Sequence, residues 1–156
     1  MIANDLFEYK DGKLFWKVSR SNVISIGQEA GTEYSRGYKR VYFNGKTHSV
    51  HRVIWEMFNG EIKQNMQIDH IDGCPENNRI ENLRIVTSQQ NAMNRKSKHK
   101  LGVKNVSFDS KKKKYRVTIQ TNGNRIWCGA YEDLEFAELV AIEARNKYHG
   151  EFANNR

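Results

Sequence analysis

This sequence has few cysteines and no long hydrophobic run, so it offers little for a disulfide scaffold, a cysteine zinc site or a membrane anchor. Its two cysteines, Cys74 and Cys128, lie far apart and form no CxxC pair, which argues against a thiolate zinc site or a disulfide scaffold. No run approaches the ~20 apolar residues of a membrane span, and the first residues lack the basic-then-apolar order of a secretory signal. We therefore expect a cytoplasmic protein without structural zinc or a membrane partner.

Acidic residues are the other shortage. The 156 residues include 26 lysines and arginines against 18 aspartates and glutamates, which gives a net charge of +8. Between residues 95 and 127 eleven basic residues face one acidic residue, Asp109. Such a charge suits a polyanionic partner, although a merely solvated basic face would account for the total equally well.

Turn signals and residue periodicity divide the chain into three zones. Residues 1–50 hold short β-like runs, and Asn44-Gly45 separates two of them, a strong hairpin signal because both turn positions require positive φ. An amphipathic helix is predicted to follow and to end at Gly60, before strands at 66–71 and 83–86. A helix then begins after Thr87, whose spacing to Gln90 fits a capping box.

The middle zone contains polar residues of the types that bind metal ions and transfer protons in active sites. Asp69 and His70 are adjacent, and asparagines follow 12 and 21 positions after the histidine, at Asn82 and Asn91. The predicted elements place the first pair on a strand, Asn82 in the hairpin loop and Asn91 one turn into the next helix. A β-hairpin followed by a helix can bring these side chains to one point, as a divalent ion beside a general base requires.

The segments DHIDG, NNRIENLR and TSQQNAMNR, preceded by HRVIWEMFNG, resemble HNH endonucleases of the phage and intron homing type. In that ββα-metal variant the last histidine of the motif is an asparagine. The resemblance covers about residues 35–95. It implies that Asp69 and Asn91 bind one divalent metal, that His70 is the general base, and that Asn82 holds the loop that orients the imidazole.

The chemistry of these residues agrees with the implied roles. Carboxylate and amide oxygens suit a hard cation, so magnesium is expected, with manganese as an alternative. Histidine titrates near neutral pH and is the commonest general base. Taken singly, each residue has an ordinary structural explanation: a surface pair for Asp69-His70, and a loop or solvated amide for the asparagines.

Residues 101–156 contain GVKNVSFD, KYRVTIQ, NGNRIWCGAY and YHGEFA, which resemble the apetala-two/ethylene-response-factor DNA-binding domain. The resemblance implies a three-stranded sheet, packed on one helix, that lies in the major groove. Strand alternation independently puts Tyr115, Val117 and Ile119 on the helix side and Ile126 inward. The helix is predicted at 134–148, ending at Gly150.

The opposite face of this sheet is predicted to contact DNA, by arginine and glutamine hydrogen bonds to bases and by lysine contacts to phosphates. A solvated turn is the alternative for the lysine run. The residues predicted to bind DNA are Arg95, Lys96, Lys98, Lys104, Lys111, Lys112, Lys113, Lys114, Arg116, Thr118, Gln120, Arg125 and Trp127.

Together these features predict an α+β protein with a β-hairpin region at 1–50, an HNH core at 51–95, a basic linker at 96–100 and a DNA-binding domain at 101–156. The expected activity is site-specific hydrolysis of a phosphodiester in double-stranded DNA, in a phage-infected host cell, by a monomer that nicks one strand and has no small-molecule substrate. A catalytically inactive sequence-specific DNA-binding protein is the first alternative. An RNA-binding protein is the second, because aromatics on a basic sheet can stack unpaired bases.

Overall fold

The computed structural model describes residues 3–20, 23–95 and 101–155. The chain divides into two compact units, Met1–Thr87 and Ser88–Arg156. Within the described residues the fold is of the expected α+β class, with three three-stranded sheets and one two-stranded sheet, all antiparallel. No helix in these ranges is long and apolar enough to cross a membrane.

The first unit is built from short hairpins around two helices. Its sheets have the strand orders β1-β2-β3, β4-β5-β6 and β7-β8. The elements are α1 (Ala3–Leu6), β1 (Phe7–Lys10), β2 (Lys13–Trp16), β3 (Glu29–Ala30), β4 (Thr32–Ser35), β5 (Tyr38–Phe43), β6 (Lys46–Ser49), α2 (Val50–Asn59), β7 (Met66–His70) and β8 (Leu83–Thr87).

Local sequence explains most of these boundaries. Asn44 and Gly45 have φ of 49° and 75°, so the predicted Asn-Gly turn between β5 and β6 is confirmed. Helix α2 ends at Gly60, also as predicted. It presents Val53 and Ile54 to a core shared with the hairpins, where both side chains are buried.

The second unit has the predicted sheet-plus-helix arrangement. Its sheet has the strand order β11-β10-β9, and α4 packs against β10 and β11. A turn at Asn122-Gly123, again with positive φ at both residues, joins β10 to β11. The elements are α3 (Ser88–Asn94), β9 (Val106–Asp109), β10 (Lys114–Thr121), β11 (Asn124–Tyr131) and α4 (Leu134–His149).

The core of this unit is small and aliphatic. Val117 and Ile119 are fully buried, and the alanines at 137 and 141 of α4 let the helix approach the sheet closely. Asp133 begins the helix by accepting a hydrogen bond from the backbone N–H of Phe136 at 2.7 Å. One face of the sheet is thereby covered and the other is left to solvent.

Candidate active site and basic surface

Asp69 and His70 close strand β7 and are both buried, at 7% and 4% exposure. In the β7–β8 ladder Asp69 lies opposite Arg84. The guanidinium donates from Nε and from a terminal nitrogen to the same carboxylate oxygen, Oδ2 of Asp69, at 3.0 and 2.9 Å. Arg84 therefore orients the carboxylate and balances its charge away from bulk water.

The His70 ring is held by an asparagine that the sequence does not single out. Its Nε2 lies 2.8 Å from Oδ1 of Asn78, and the amide nitrogen of Asn78 faces the carbonyl oxygen of Glu76 at 3.5 Å. Because an amide oxygen only accepts, a neutral His70 ring in this contact has its proton on Nε2 and its lone pair on Nδ1.

Loop 71–82, which joins β7 to β8, is organised by hydrogen bonds around Asp72 and Asn82. The Asn82 side chain accepts from the backbone N–H of Asp72 at 3.1 Å and donates to Asp72 Oδ1 at 2.9 Å and to the Asn77 carbonyl at 2.7 Å. Burial would raise the pKa of Asp72, but hydrogen bonds from Asn77, the Cys74 backbone and Asn82 lower it. Asn82 thus ties the two ends of the loop that contains Asn78.

Three rings meet beside this loop. Tyr38 of β5, His51 of α2 and His70 form a triangle whose centroid separations are 5.3 to 5.9 Å. Burial, followed by the proximity of His70 and Arg52, lowers the pKa of His51 to about 4. A neutral imidazole therefore packs against His70 at physiological pH.

Asn91 is the fourth residue of α3, in the second unit. The helix begins immediately after Thr87, where the capping-box spacing predicts it. Among the described residues no three His, Cys, Asp or Glu side chains are grouped as a metal cage.

The solvent-facing side of the second unit's sheet has the alternation predicted for it. Thr118 lies opposite Trp127 and Gln120 opposite Arg125 in the β10–β11 ladder. The Trp127 side chain is 55% exposed, and the Arg116 guanidinium lies 5.3 Å from its ring centroid. This face presents planar, cationic and amide groups side by side.

The lysine run forms the tip of the β9–β10 hairpin. Lys111, Lys112 and Lys113 are exposed, and Lys114 lies 3.4 Å from Glu132. The carboxylate of Asp109 shapes the turn, because its Oδ1 accepts from the backbone N–H groups of Lys111 and Lys112, both at 3.1 Å. Asp109, the single acidic residue of the basic segment, therefore stabilises the conformation of this turn.

The predicted position of Lys104 is wrong. Strand β9 starts at Val106, so Lys104 precedes the sheet, and its ammonium donates to the carbonyl of Met93. Burial, with the proximity of Arg145, lowers its pKa to about 8. Lys104 lines a cavity of about 500 Å³ with Asn105 and His149 rather than the open face.

The remaining predicted DNA contacts lie beside the linker. Arg95 is exposed just beyond α3. Lys96 and Lys98, with the whole predicted linker at 96–100, lie outside the described residues.

Sequence reasoning missed Asn78, Arg84, His51 and Tyr38 as members of the site. A signal existed for Arg84, because the predicted hairpin register sets it across from Asp69. For His51 the sequence suggests a helix entry or a phosphate contact, and nothing in it indicates a neighbour of His70. Nothing local distinguishes Asn78 from Asn77.

Comparisons with known proteins identify a matching family and several similar chains. A family model described as HNH endonuclease matches residues 48–93. Protein 3.8 of Escherichia phage T7 is 31% identical over 125 residues, covering 78% of this chain and 98% of that protein. An uncharacterized HNH endonuclease of Acanthamoeba polyphaga mimivirus is 36% identical over 89 residues, 56% of this chain and 45% of that protein.

A solved structure on DNA binding and cleavage by the HNH homing endonuclease I-HmuI aligns with 56% of this chain and 49% of that one. The sequence identity is 27% and the TM-score 0.43. The family match to residues 48–93 spans the hairpin that holds Asp69 and His70 and most of α3. The phage relative is aligned over nearly its whole length. From the family match and the phage relative it follows that the chain belongs to the HNH endonuclease family.

Proposed function

We propose that this protein is a homing-type DNA endonuclease that hydrolyses one phosphodiester of double-stranded DNA, with His70 as the general base. One observation carries the proposal: the 2.8 Å contact between His70 Nε2 and the Asn78 amide oxygen. That contact keeps the proton on Nε2 and leaves the basic lone pair on Nδ1. A buried imidazole in one defined tautomer is what a base requires.

During hydrolysis a proton would pass from the attacking water to the His70 ring. Nδ1 of His70 takes a proton from the water that attacks phosphorus, while the P–O bond to the leaving sugar oxygen breaks and that oxygen takes a proton from solvent. Positive charge then spreads over the ring, and the Asn78 oxygen stabilises it through Nε2–H. Asn82 acts through the loop, because it fixes the segment that contains Asn78.

Asp69 and Asn91 would hold one magnesium or manganese ion. The donor set fits, because both offer hard oxygen atoms and the Asp69 carboxylate is held at a buried strand end by Arg84. When bound, such an ion supplies stabilisation of the charge that develops on phosphate oxygens. The pairing with Arg84 also means that Asp69 is pre-oriented before any cation arrives.

The three-stranded sheet and helix α4 of the second unit serve as the DNA reader in this proposal, in the manner of the apetala-two-like domain that residues 101–156 resemble. Arg116, Gln120 and Arg125 would contact base edges, Trp127 and Thr118 would pack against them, and the exposed lysine tip would contact phosphates. Residues 51–95 then form the nuclease core, 101–156 the reader and 96–100 the tether. One active site per chain means that a monomer nicks one strand.

The phage relative supports an infected bacterial cell as the place where this activity is used. The decisive test is nicking of supercoiled plasmid in magnesium. His70→Ala is expected to lose about 10²- to 10⁴-fold in rate while DNA affinity stays unchanged. His48→Ala, a half-buried imidazole of the same unit, is the matched control. Chelation should abolish nicking, and Asp69→Asn should raise the magnesium concentration that restores it.

Equal rates for His70→Ala and wild type would remove the proposed base. A wild-type protein that binds a defined duplex and never nicks it would instead be the inactive DNA-binding protein. Competition between duplex DNA and single-stranded RNA for the Trp127 face tests the RNA alternative. A preference for RNA would reject the reader assignment.

A further inference from the structure

The turn between β1 and β2 lies directly against the loop that holds His70. Gly12, the second turn residue, is buried although it occupies a hairpin tip. A Cβ atom at this position would lie 2.9 Å from the backbone nitrogen of Arg79 and 3.0 Å from the carbonyl carbon of Asn78. The turn therefore packs directly against the peptide group that joins Asn78 to Arg79.

A second contact from the same hairpin lies one residue further along the loop. The hydroxyl oxygen of Tyr9, on β1, accepts a hydrogen bond from the backbone N–H of Ile80 at 3.1 Å. Tyr9 is itself fixed by an edge-on contact with Phe58 of α2, with ring centroids 4.9 Å apart. The exposed pair of Asp11 and Arg79, at 3.9 Å, adds little.

The neighbouring hairpin reaches the other part of the loop. Gly37, in the turn between β4 and β5, is buried, and an added Cβ would lie 2.7 Å from Cγ of Glu76. The next residue, Tyr38, packs against the His70 ring. Here the obstacle is a flexible side chain rather than main chain, so this contact can yield more easily.

We propose that the N-terminal hairpins brace loop 71–82, so that Gly12 and Tyr9 position the Asn78 amide and, through it, the His70 imidazole. This assigns a task to the first fifty residues, and its catalytic consequence rests on the proposed role of His70. The reasoning is geometric. The loop leaves the sheet between β7 and β8. Asn82 holds it at the Asn77 carbonyl, just before Asn78, and the first hairpin contacts it just after, at the Asn78–Arg79 peptide and at Ile80.

The chain supplies a matched pair of substitutions that separates bracing from turn strain. Gly12 and Gly45 both occupy the second position of a two-residue hairpin turn, with φ of 82° and 75°. Gly12→Ala and Gly45→Ala strain the backbone alike, but an added Cβ at Gly45 meets nothing within 4 Å. Any difference between the two variants therefore reports the contact with the loop.

We expect Gly12→Ala to lower kcat of plasmid nicking by roughly 30-fold, because displacements near 1 Å can cost about 100-fold in rate. Gly45→Ala should stay within about two-fold of wild type. Gly37→Ala should fall between them, since Glu76 can move aside. KM and DNA affinity should change in none of the three, because these turns are assigned no contact with substrate.

A readout independent of catalysis keeps the proposal testable even without nuclease activity. The ¹⁵N resonances of the His70 ring in the full-length protein distinguish the Nε2–H tautomer from a mixture of tautomers. Wild type and Gly45→Ala should show the Nε2–H form, and Gly12→Ala a mixture. Asn78→Asp, which keeps the accepting oxygen, should keep the proton on Nε2, whereas Asn78→Leu should lose this preference.

Equal behaviour of Gly12→Ala and Gly45→Ala in both rate and ring resonances would overturn the brace while leaving the proposed base intact. A wild type that never nicks, with ring resonances that still separate the two variants, would overturn the nuclease proposal and sustain the brace. Should Gly12→Ala fail to fold, Tyr9→Phe removes a single oxygen atom and decides instead. Wild-type rate and resonances in that variant would reject the brace.

Discussion

The two clusters of polar side chains to which we assign functions, for catalysis in the first unit and for DNA contact in the second, differ in exposure. In the first, Asp69, His70 and Asn78 are all less than 10% exposed, and each has a partner within 3.0 Å. In the second, Arg116 and Trp127 stand on an open sheet face about half exposed. This difference fits the proposed roles, because proton transfer needs one fixed geometry, whereas groove contacts need side chains that can adapt.

The largest expected effect on the difference between these clusters comes from replacing Arg84. Arg84→Leu leaves the Asp69 carboxylate buried without its counter-charge, and we expect a loss of about 3 kcal/mol in the free energy of unfolding at neutral pH. Chemical denaturation measures it. Arg125→Leu, the removal of an exposed arginine from the second unit, is the control and should change the free energy of unfolding by less than about 0.5 kcal/mol.

Magnesium sharpens the same experiment. If Asp69 binds the ion, magnesium should stabilise Arg84→Leu more than wild type, because the cation then replaces the missing counter-charge. Equal stabilisation of both proteins would contradict Asp69 as a ligand.

Acid should affect the first unit through His51. Its pKa of about 4 in the folded state lies below the unfolded value of about 6.5, so the folded protein binds fewer protons between these limits. Stability from this group is complete above pH 6.5 and is lost as the pH falls toward 4. His51→Phe should remove a loss on the order of 2 kcal/mol. Unfolding curves from pH 7.5 to 4 test this, with His48→Phe as the control.

Replacing Arg116 by alanine should affect binding and leave folding nearly unchanged. We expect a weakening of about 1–2 kcal/mol for the preferred duplex and less for other sequences, because base-edge contacts specify. Quantitative binding to a panel of duplexes measures both. Uniform weakening across the panel would reassign Arg116 to the phosphate backbone.

The smallest expected effect concerns one lysine of the hairpin tip. Lys112→Ala should weaken all duplexes alike and lower the salt dependence of log K by about 1, the signature of one lost phosphate contact. Titration of binding against salt concentration measures the slope. An unchanged slope would show that Lys112 makes no phosphate contact and would support the alternative interpretation of the lysine run as a solvated turn.

The sequence alone predicts those turns and strand faces that are determined by neighbouring residues in the chain. Asn44-Gly45 and Asn122-Gly123 predict their turns because few residues tolerate positive φ at two successive positions. Alternation separates the buried Val117 and Ile119 from their exposed neighbours because a strand has a period of two. Such features need no knowledge of the rest of the chain.

Long-range packing supplies the rest of the site. Tyr9 bonds Ile80 across 71 positions, and no periodicity announces a contact of that kind. Sequence reasoning puts Lys104 on the sheet because it extends the first strand back to this residue, whereas the strand begins at Val106. Gly12 looks like an ordinary turn residue until its neighbours are known.

Asp109 gives the lysine tip a further property. The turn is fixed by its carboxylate acting on the main-chain N–H groups of Lys111 and Lys112, so the shape of the tip does not depend on the side chains at these two positions. Successive positions can therefore exchange lysine for arginine, or drop a charge, without refolding the hairpin. If the tip contacts phosphates as proposed, substitutions there would change the affinity for DNA in small steps, provided that this one aspartate is retained.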